Sequence, residues 1–598
     1  MKYQPVRCNE LWPGQLLKLS KGAFVINRLF CVCLRSSQVY PSSQKNANKH
    51  LQRLHVKHRS LLLWIHWSIS AVVLGGFVWL YWAHTHTIKR YIDTLCSIFS
   101  PPMFPYGEPP NHVFAQARSL LGQGKHLNAI KAYEQYLAME RQGQQKIAAT
   151  LHDMARLYLA LDDIAAARVL TDRFYAEASG EDARRVEPAY NLCHALRKRG
   201  HYALAYYYYL YAKSLSNTSL ATTASNPHIP VQPDIYDYLL DFEKSILWSY
   251  VGDIDERHSK LHGLSFSMQL LEKSNLPQKL QESVFSNLQY YTPNLRGFIS
   301  VLRPEMPIED EWRYSTPTFL DGETTLIRVV NYYVAEDGSY HVSPNAGKQV
   351  NTMLVLADTD EAFAVTLSSQ FRSHAEADHL LHPDAYILGL EDTRVVRDAS
   401  RNGTIYTLSA SEQFSEDGRV MNQVLGMLDL ETKSHIIDSV IKHPNPDYHD
   451  KNWVFAGGLD CVVYGWYPSI EIGAINQATG ELHIHTRISS PHSFYGMRGS
   501  TNGVLYENQW WFVTHAVIHR PGQMRMYLHR LVVLNGDLSR VVRHSLPFTF
   551  EEHSHVEYCL GLFVDASGLT FGYSVRDRCS KILRVPWRVV GELIWRLG

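Results

Sequence analysis

Two adjacent carboxylates, Glu391 and Asp392, stand beside Arg394 in the segment GLEDTR, residues 389–394. Paired carboxylates suit acid–base work on sugars, where one gives a proton to a leaving oxygen and the other orients hydroxyls. Five further segments carry polar residues flanked by strand-like sequence: KNWVF (451–455), MRGSTNGVLY (497–506), WWFVTHAV (510–517), VEYCLGL (556–562) and GYSVRD (572–577). Within them Lys451, Asn452, Arg498, His515, Glu557, Tyr573 and Asp577 are the candidates for holding substrate or phosphate. A phosphate needs a cluster of cations, and Arg394, Lys451, Arg498 and a protonated His515 would supply one. The bland alternative is that these charges satisfy one another or cap strand ends, as ion-pair networks commonly do. No P-loop, G-x-G-x-x-G or G-x-S-x-G pattern occurs, so nucleotide hydrolysis and serine-hydrolase chemistry lack support.

Two His-rich stretches invite a metal reading. One holds His374, His379 and His382; the other holds His443, Asp447, His449 and Asp450. Their spacings match no standard site and both segments read as loops, so no metal is expected.

The elements that must position these residues read as all-β. From about 295 to 590, short runs rich in Val, Ile, Tyr, Phe and Trp alternate with turn signals. These are EDGS at Glu336, RNGT at Arg401, SEDG at Ser415, QATG at Gln477, LNGD at Leu534 and DASG at Asp565. The strands fall into five sets, 316–370, 385–442, 452–488, 498–545 and 556–586. Repeated sets of several strands predict a five-bladed β-propeller, with the polar motifs at the mouth of its central channel.

The order of the motifs resembles the five-bladed propeller of glycoside hydrolase family 130 and of related mannosyltransferase-phosphorylases. That family has an E-D-P-R element, then K-D or K-N, G-[AS]-x-x-P-[IV], Y-H-G and Y-x-[GS]-x-x-D. Here Glu391-Asp392-Thr393-Arg394 is followed by Lys451-Asn452, by residues 499–504, by Thr514-His515-Ala516, and by Tyr573-Ser574 with Asp577. The resemblance implies inverting cleavage of β-mannosidic bonds by phosphate or water, or transfer of mannose. Asp392 would then be the carboxylate at the scissile bond, with Arg394, Lys451 and His515 holding phosphate or sugar. It implies no bound cofactor; inorganic phosphate or a nucleotide-sugar would be a co-substrate. Thr393 replaces the family's Pro, Asn502 and Gly503 stand where Pro is usual, and Thr514 and Ala516 replace Tyr and Gly. A propeller that binds sugar without catalysis would also diverge in this way.

Upstream lies a helical repeat over 111–275. Gly124, Asp162 and Gly200 are 38 residues apart, as are Ala129, Ala167 and Ala205, and each set follows a helical pattern. These helix-turn-helix units resemble degenerate tetratricopeptide repeats (TPR), which usually run to about 34 residues. A protein partner is one use for them. The run YYYYLYA (206–212) is expected to form interhelix core.

Before the repeats, 84–110 reads as a Pro-rich stalk. Residues 61–83, LLLWIHWSISAVVLGGFVWLYWA, are 23 residues without Asp, Glu, Lys or Arg, long enough for one transmembrane helix. Residues 1–60 hold eleven Lys and Arg against one acid, Glu10, and no periodicity, so a disordered basic tail is expected. The positive-inside rule keeps that tail cytosolic and puts the rest across the membrane, a type II layout suited to the endoplasmic reticulum or Golgi. The rival is an organelle presequence with an inner-membrane location. Asn217 and Asn402 head glycosylation sequons that matter if the body is lumenal. Lys plus Arg equals Asp plus Glu at 58 each, which gives no reason to expect nucleic acid. The eight cysteines form no C-x-x-C pair, and disulfides among Cys461, Cys559 and Cys579 stay unassigned. Three functions fit: a glycan-active membrane enzyme, a non-catalytic glycan-binding propeller, and a protein scaffold.

Overall fold

Pro110 opens the first described helix, at a position where its missing N–H costs nothing. The computed structural model describes residues 109–593 and 596–597, except 141–142, 217–225, 253–255, 302–311, 323, 336–337, 343–349, 359–381, 383, 416–419, 433, 443–450, 520–523 and 552–555. The basic tail, the 61–83 span, nearly all of the stalk and Asn217 lie outside the described residues. So do His374, His379, His443, Asp447, His449 and Asp450. Among the described residues no helix is long and apolar enough to cross a membrane.

Six helices pair in turn: α1 (Pro110–Gly122) with α2 (His126–Met139), α3 (Gln144–Ala160) with α4 (Ile164–Glu177), and α5 (Glu187–Lys198) with α6 (Tyr202–Ser216). The three linking turns are built alike. Gly124, Asp162 and Gly200 have φ of 70°, 67° and 79°. The residues after them, Lys125, Asp163 and His201, donate their N–H to the carbonyls of Leu120, Tyr158 and Leu196. A left-handed residue that ends a helix with this backward bond is what the 38-residue spacing encodes. Ala129, Ala167 and Ala205 are fully buried, small enough for paired helices to approach closely. In the aromatic run Tyr208 and Tyr209 are buried, while Tyr207 faces solvent.

α7 (Leu240–Val251), α8 (Glu256–Leu271) and α9 (Gln278–Asn287) extend this region. Their core is not private. Leu264, Met268, Leu271, Val284 and Leu288 pack with Ile518, Leu528 and Leu546 of the β region.

β1 (Phe298–Val301) leaves the helices. The first sheet holds β2 (Arg313–Phe319), β3 (Thr324–Val330), β6 (Val350–Asp358) and β7 (Ile387–Leu388), with β4 (Tyr332–Val334) and β5 (Tyr340–Val342) as a two-stranded ribbon beside it in sequence. The second holds β8 (Glu391–Asp398), β9 (Thr404–Ser411), β10 (Asn422–Asp429) and β11 (Ser434–Ile441). The third holds β12 (Val454–Gly458), β13 (Cys461–Gly465), β14 (Ser469–Asn476) and β15 (Glu481–Ser489). The fourth has six strands, β16 (Arg498–Gly499), β17 (Val504–Tyr506), β18 (Gln509–Ile518), β19 (Met526–Asn535), β20 (Val541–His544) and β24 (Arg596–Leu597). The fifth joins β21 (Glu557–Asp565), β22 (Gly568–Val575) and β23 (Cys579–Pro586) to β1, so the first strand of the domain completes the last sheet.

This is a propeller-like β domain behind a helical region. The turns at RNGT, QATG, LNGD and DASG each join consecutive antiparallel strands, as their Gly-containing sequences predict. β1 and β24 lie outside the five strand sets read from the sequence. Cys461, Cys559 and Cys579 are free thiols.

Candidate active site

An irregularity in β8 aims the carboxylates. The pairing of β8 with β9 shifts register between Glu391 and Arg394, and Asp392 sits in the shift at φ 51°. In a regular strand Glu391 and Asp392 would face opposite sides of the sheet. A bulge re-aims side chains, and here both carboxylates meet one guanidinium. Arg328 Nη1 donates to Asp392 Oδ1 at 3.0 Å. Its Nη2 donates to Glu391 Oε1 and, at 3.0 Å, to the Tyr332 hydroxyl. Lys451 Nζ closes the group from the other side, 3.0 Å from Glu391 Oε2 and 3.4 Å from Asp392 Oδ2.

Arg394 is fully buried and committed to the protein. Its Nε donates to the Ser500 carbonyl at 3.0 Å, Nη1 to the Asp392 carbonyl at 3.0 Å and Nη2 to the Tyr558 hydroxyl at 2.9 Å. Tyr558 in turn donates to Asn452 Oδ1 at 3.2 Å. The His515 ring meets the Tyr558 ring edge-on at 5.2 Å and stacks on Tyr527 at 5.7 Å. Arg498 pairs with His515 in strand register, its own side chain exposed.

Asp577 follows β22, also in the left-handed region, at φ 53°. It accepts from Ser315 Oγ at 3.0 Å, Tyr332 OH at 3.4 Å and Ser574 Oγ at 3.5 Å. All three partners are hydroxyls, and among the described residues no ion pair reaches it. Tyr332 therefore links Asp577 to the Arg328 cluster.

The two aspartates are pushed apart electrostatically. Burial alone would raise Asp392, but the charges of Lys451, Arg328 and Arg394 outweigh it and hold its carboxyl at about 2. Burial raises Asp577 above the usual carboxylate value despite Arg328, and the negative charge of Asp392 adds to the rise. For Lys451, burial is outweighed by Glu391 and Asp392, which keep its ammonium charged. Burial pushes His515 well below its ordinary value, and the charges of His529, Arg498 and Arg394 push the same way. The histidine is therefore neutral near pH 7, and the cationic cluster expected from sequence loses one member.

Glu391, Asp392, Arg394, Lys451, Asn452, His515 and Asp577 thus come together, with Arg498 at the edge. Glu557 and Tyr573 do not join them. Glu557 accepts the backbone N–H groups of Phe550 at 2.7 Å and Glu551 at 3.0 Å. The Tyr573 hydroxyl donates to Glu551 at 2.6 Å and its ring stacks on Phe550 in the core. Strand alternation explains the difference, since Tyr558 beside Glu557 is the residue that faces Arg394 and Asn452. Most of the 499–504 motif stitches sheets together. Asn502 accepts from the Phe455 N–H at 3.0 Å and donates to the Val395 carbonyl at 2.7 Å.

Sequence reading missed Arg328, Tyr332 and Tyr558. Arg328 had a signal, the one charge inside the apolar run TTLIRVV (324–330). The tyrosines had none among 35 in the chain. Asn402 is exposed at the tip between β8 and β9, at φ 56°. The His382 backbone N–H donates to the Gln413 carbonyl, and its ring accepts from the Asp384 N–H. No group of metal-binding side chains occurs among the described residues.

No protein-family model and no curated protein matches the chain. Solved structures similar to it include a β-1,2-mannobiose phosphorylase from Listeria innocua, 12% identical over 48% of this chain and 94% of that one, with a TM-score of 0.33. A glycosyl hydrolase from Bacteroides ovatus is 10% identical over 51% and 98%, with a TM-score of 0.35. A GDP-Man-dependent mannosyltransferase from Leishmania mexicana is 11% identical over 50% and 93%, with a TM-score of 0.29. At these identities and scores the likenesses assign no activity to this chain.

Proposed function

We propose that this chain is a membrane-anchored, glycan-active enzyme that cleaves or transfers mannose-like sugars at the cluster around Asp392. One observation carries the reading: side chains from four of the five sheets, and from the loop that leads into the third, gather around one ionised aspartate. They are Arg328 from β3, Glu391 and Arg394 from β8, Lys451 and Asn452 before β12, His515 and Tyr527 from β18 and β19, and Tyr558 from β21. Such convergence at one point is how a fold builds a polar ligand site. The choice of mannose rests on the order of the short motifs from Glu391 to Asp577. The five-bladed and TPR-like descriptions of the two regions belong to the same reading.

The anchor is residues 61–83, with the basic tail cytosolic and the body in the lumen of the endoplasmic reticulum or Golgi. This topology rests on the sequence alone.

The test uses the full-length chain in mild detergent, wild type and Asp392→Asn. Both are offered β-mannosides with inorganic phosphate, and GDP-mannose with mannose acceptors. Sugar phosphate or a new oligosaccharide from wild type, lost in Asp392→Asn, supports an enzyme. No product from a folded wild-type chain sinks it. The second reading, a propeller that binds glycans without turnover, is favoured by the internal commitment of Arg328 and Arg394 to protein partners. It predicts glycan-array binding that survives the same substitution.

A further inference from the structure

The two carboxylates of the Glu391–Asp392 pair are covered. Glu391 is 4% and Asp392 3% exposed, with Arg328 on one side and Lys451 on the other. A substrate oxygen would have to displace a buried ion pair to reach either one. The groups at the cluster that solvent reaches at least in part are different ones: Lys451, its side chain 39% exposed, Tyr340, which packs on Tyr332 and is 46% exposed, and the half-buried Asp577 and Tyr527. Asp577 is the one carboxyl among them. It is held by the hydroxyls of Ser315, Ser574 and Tyr332, and by no ion pair among the described residues. A hydroxyl can turn from donor to acceptor, so a protonated Asp577 carboxyl keeps hydrogen-bond partners in the same place.

We infer that Asp577, rather than Asp392, is the group that touches the sugar and donates the proton to the leaving oxygen. This rests on the glycan-cleaving reading above. Asp392 and Glu391 then act through Arg328 and Lys451 as positioning residues. Two acids whose surroundings push their proton affinities apart can take two different roles. The displaced values of the two groups, Asp392 below and Asp577 above the ordinary range, agree with it.

The Asp577 carboxyl O–H gives its proton to the glycosidic oxygen as the C1–O bond breaks. An oxygen of the inorganic phosphate anion forms the new bond to C1 from the opposite face, giving the sugar phosphate. The aglycone leaves as an alcohol, and the Asp577 carboxylate regains a proton from solvent. An acid in this place serves an alkoxide leaving group. A nucleoside diphosphate leaves as a stable anion and needs no such proton, so the inference selects a glycoside as the donor.

The experiment compares full-length wild type, Asp577→Asn and Asp392→Asn on two donors with inorganic phosphate present. One is β-1,2-mannobiose, whose leaving group needs a proton. The other is 2,4-dinitrophenyl β-mannoside, whose leaving group does not. General acid catalysis contributes on the order of 100-fold or more. Asp577→Asn is expected to lose that much kcat on the disaccharide, keep its rate on the aryl mannoside, and lose the alkaline limb of the pH profile. Asp392→Asn is expected to be impaired on both donors alike. An Asp577→Asn chain equally impaired on both donors, or unimpaired on the disaccharide, overturns the assignment while the enzymatic reading stands. A folded wild-type chain that turns over neither donor overturns the enzymatic reading and the assignment with it.

Discussion

Arg328 serves two carboxylates and a phenol at once. Removing one member of a buried ion cluster leaves the others uncompensated, at a cost of about 3–5 kcal/mol. Arg328→Met is therefore expected to lower unfolding stability by that order in a urea titration. Arg328→Lys keeps the charge but not the two-pronged fork, and should fall between. A wild-type midpoint in Arg328→Met would show that the cluster contributes nothing net to the fold. The same cluster sets an acid limit. Asp392 is held at about 2 in the folded chain, against 3.8 ordinarily. Its folded value is depressed, so its contribution is present above about pH 4 and lost as pH falls towards 2, an effect of about 2 kcal/mol. Unfolding free energies at pH 5 and pH 2.5 should differ more in wild type than in Asp392→Asn. Equal differences would mean the aspartate keeps its ordinary affinity for protons.

Elements were legible where a local rule fixes the chain. The 38-residue spacing predicted three equivalent turns because a left-handed residue must end each first helix, and glycine occupies two of those positions. Asp162 occupies the third and pairs there with Arg199. Open space surrounds Gly124 and Gly200, so a methyl group at either meets no obstacle and only φ resists it. Gly124→Ala and Gly200→Ala are each expected to cost about 1 kcal/mol by thermal or urea unfolding. A neutral result would mean the turns relax freely. The strand sets and four hairpin turns were legible for the same local reason. The site was legible only in part. Adjacent charges such as Glu391 and Asp392 advertise themselves, but which neighbour faces the cluster depends on register and bulges. Glu557 was preferred to Tyr558 because charge is visible in a sequence and strand facing is not. Arg328 lies more than sixty residues before its two carboxylate partners, a distance that only the closing of the sheets removes.

At the scale of the molecule, topology and cohesion are separate questions. Asn402 stands exposed at a hairpin tip, open to a glycosyl transferase if the body is lumenal. Chain made in secretory-competent cells is then expected to run faster on a gel after peptide-N-glycosidase treatment, with part of that shift absent in Asn402→Gln. No shift at all would place the body on the cytosolic side or in another organelle.

Cohesion turns on the core shared between α7–α9 and the β domain. Ile518, Leu528 and Leu546 are each no more than 2% exposed, and they pack against Leu264, Met268, Val284 and Leu288. Burying one large aliphatic side chain is worth about 1.5–3 kcal/mol. Uncovering three would cost roughly 5–9 kcal/mol, as much as the whole stability of many domains. The sequence boundary between 275 and 295 therefore marks a change of secondary structure within one cooperative body. Residues 295–598 made alone retain β1 and every sheet, yet are expected to bind a hydrophobic dye and to melt broadly or aggregate. The longer chain from residue 109 should give one sharp transition. If 295–598 alone melted as sharply and as high as the longer chain, the helices would be passengers on a self-sufficient propeller, and the shared core would be a contact without energetic weight.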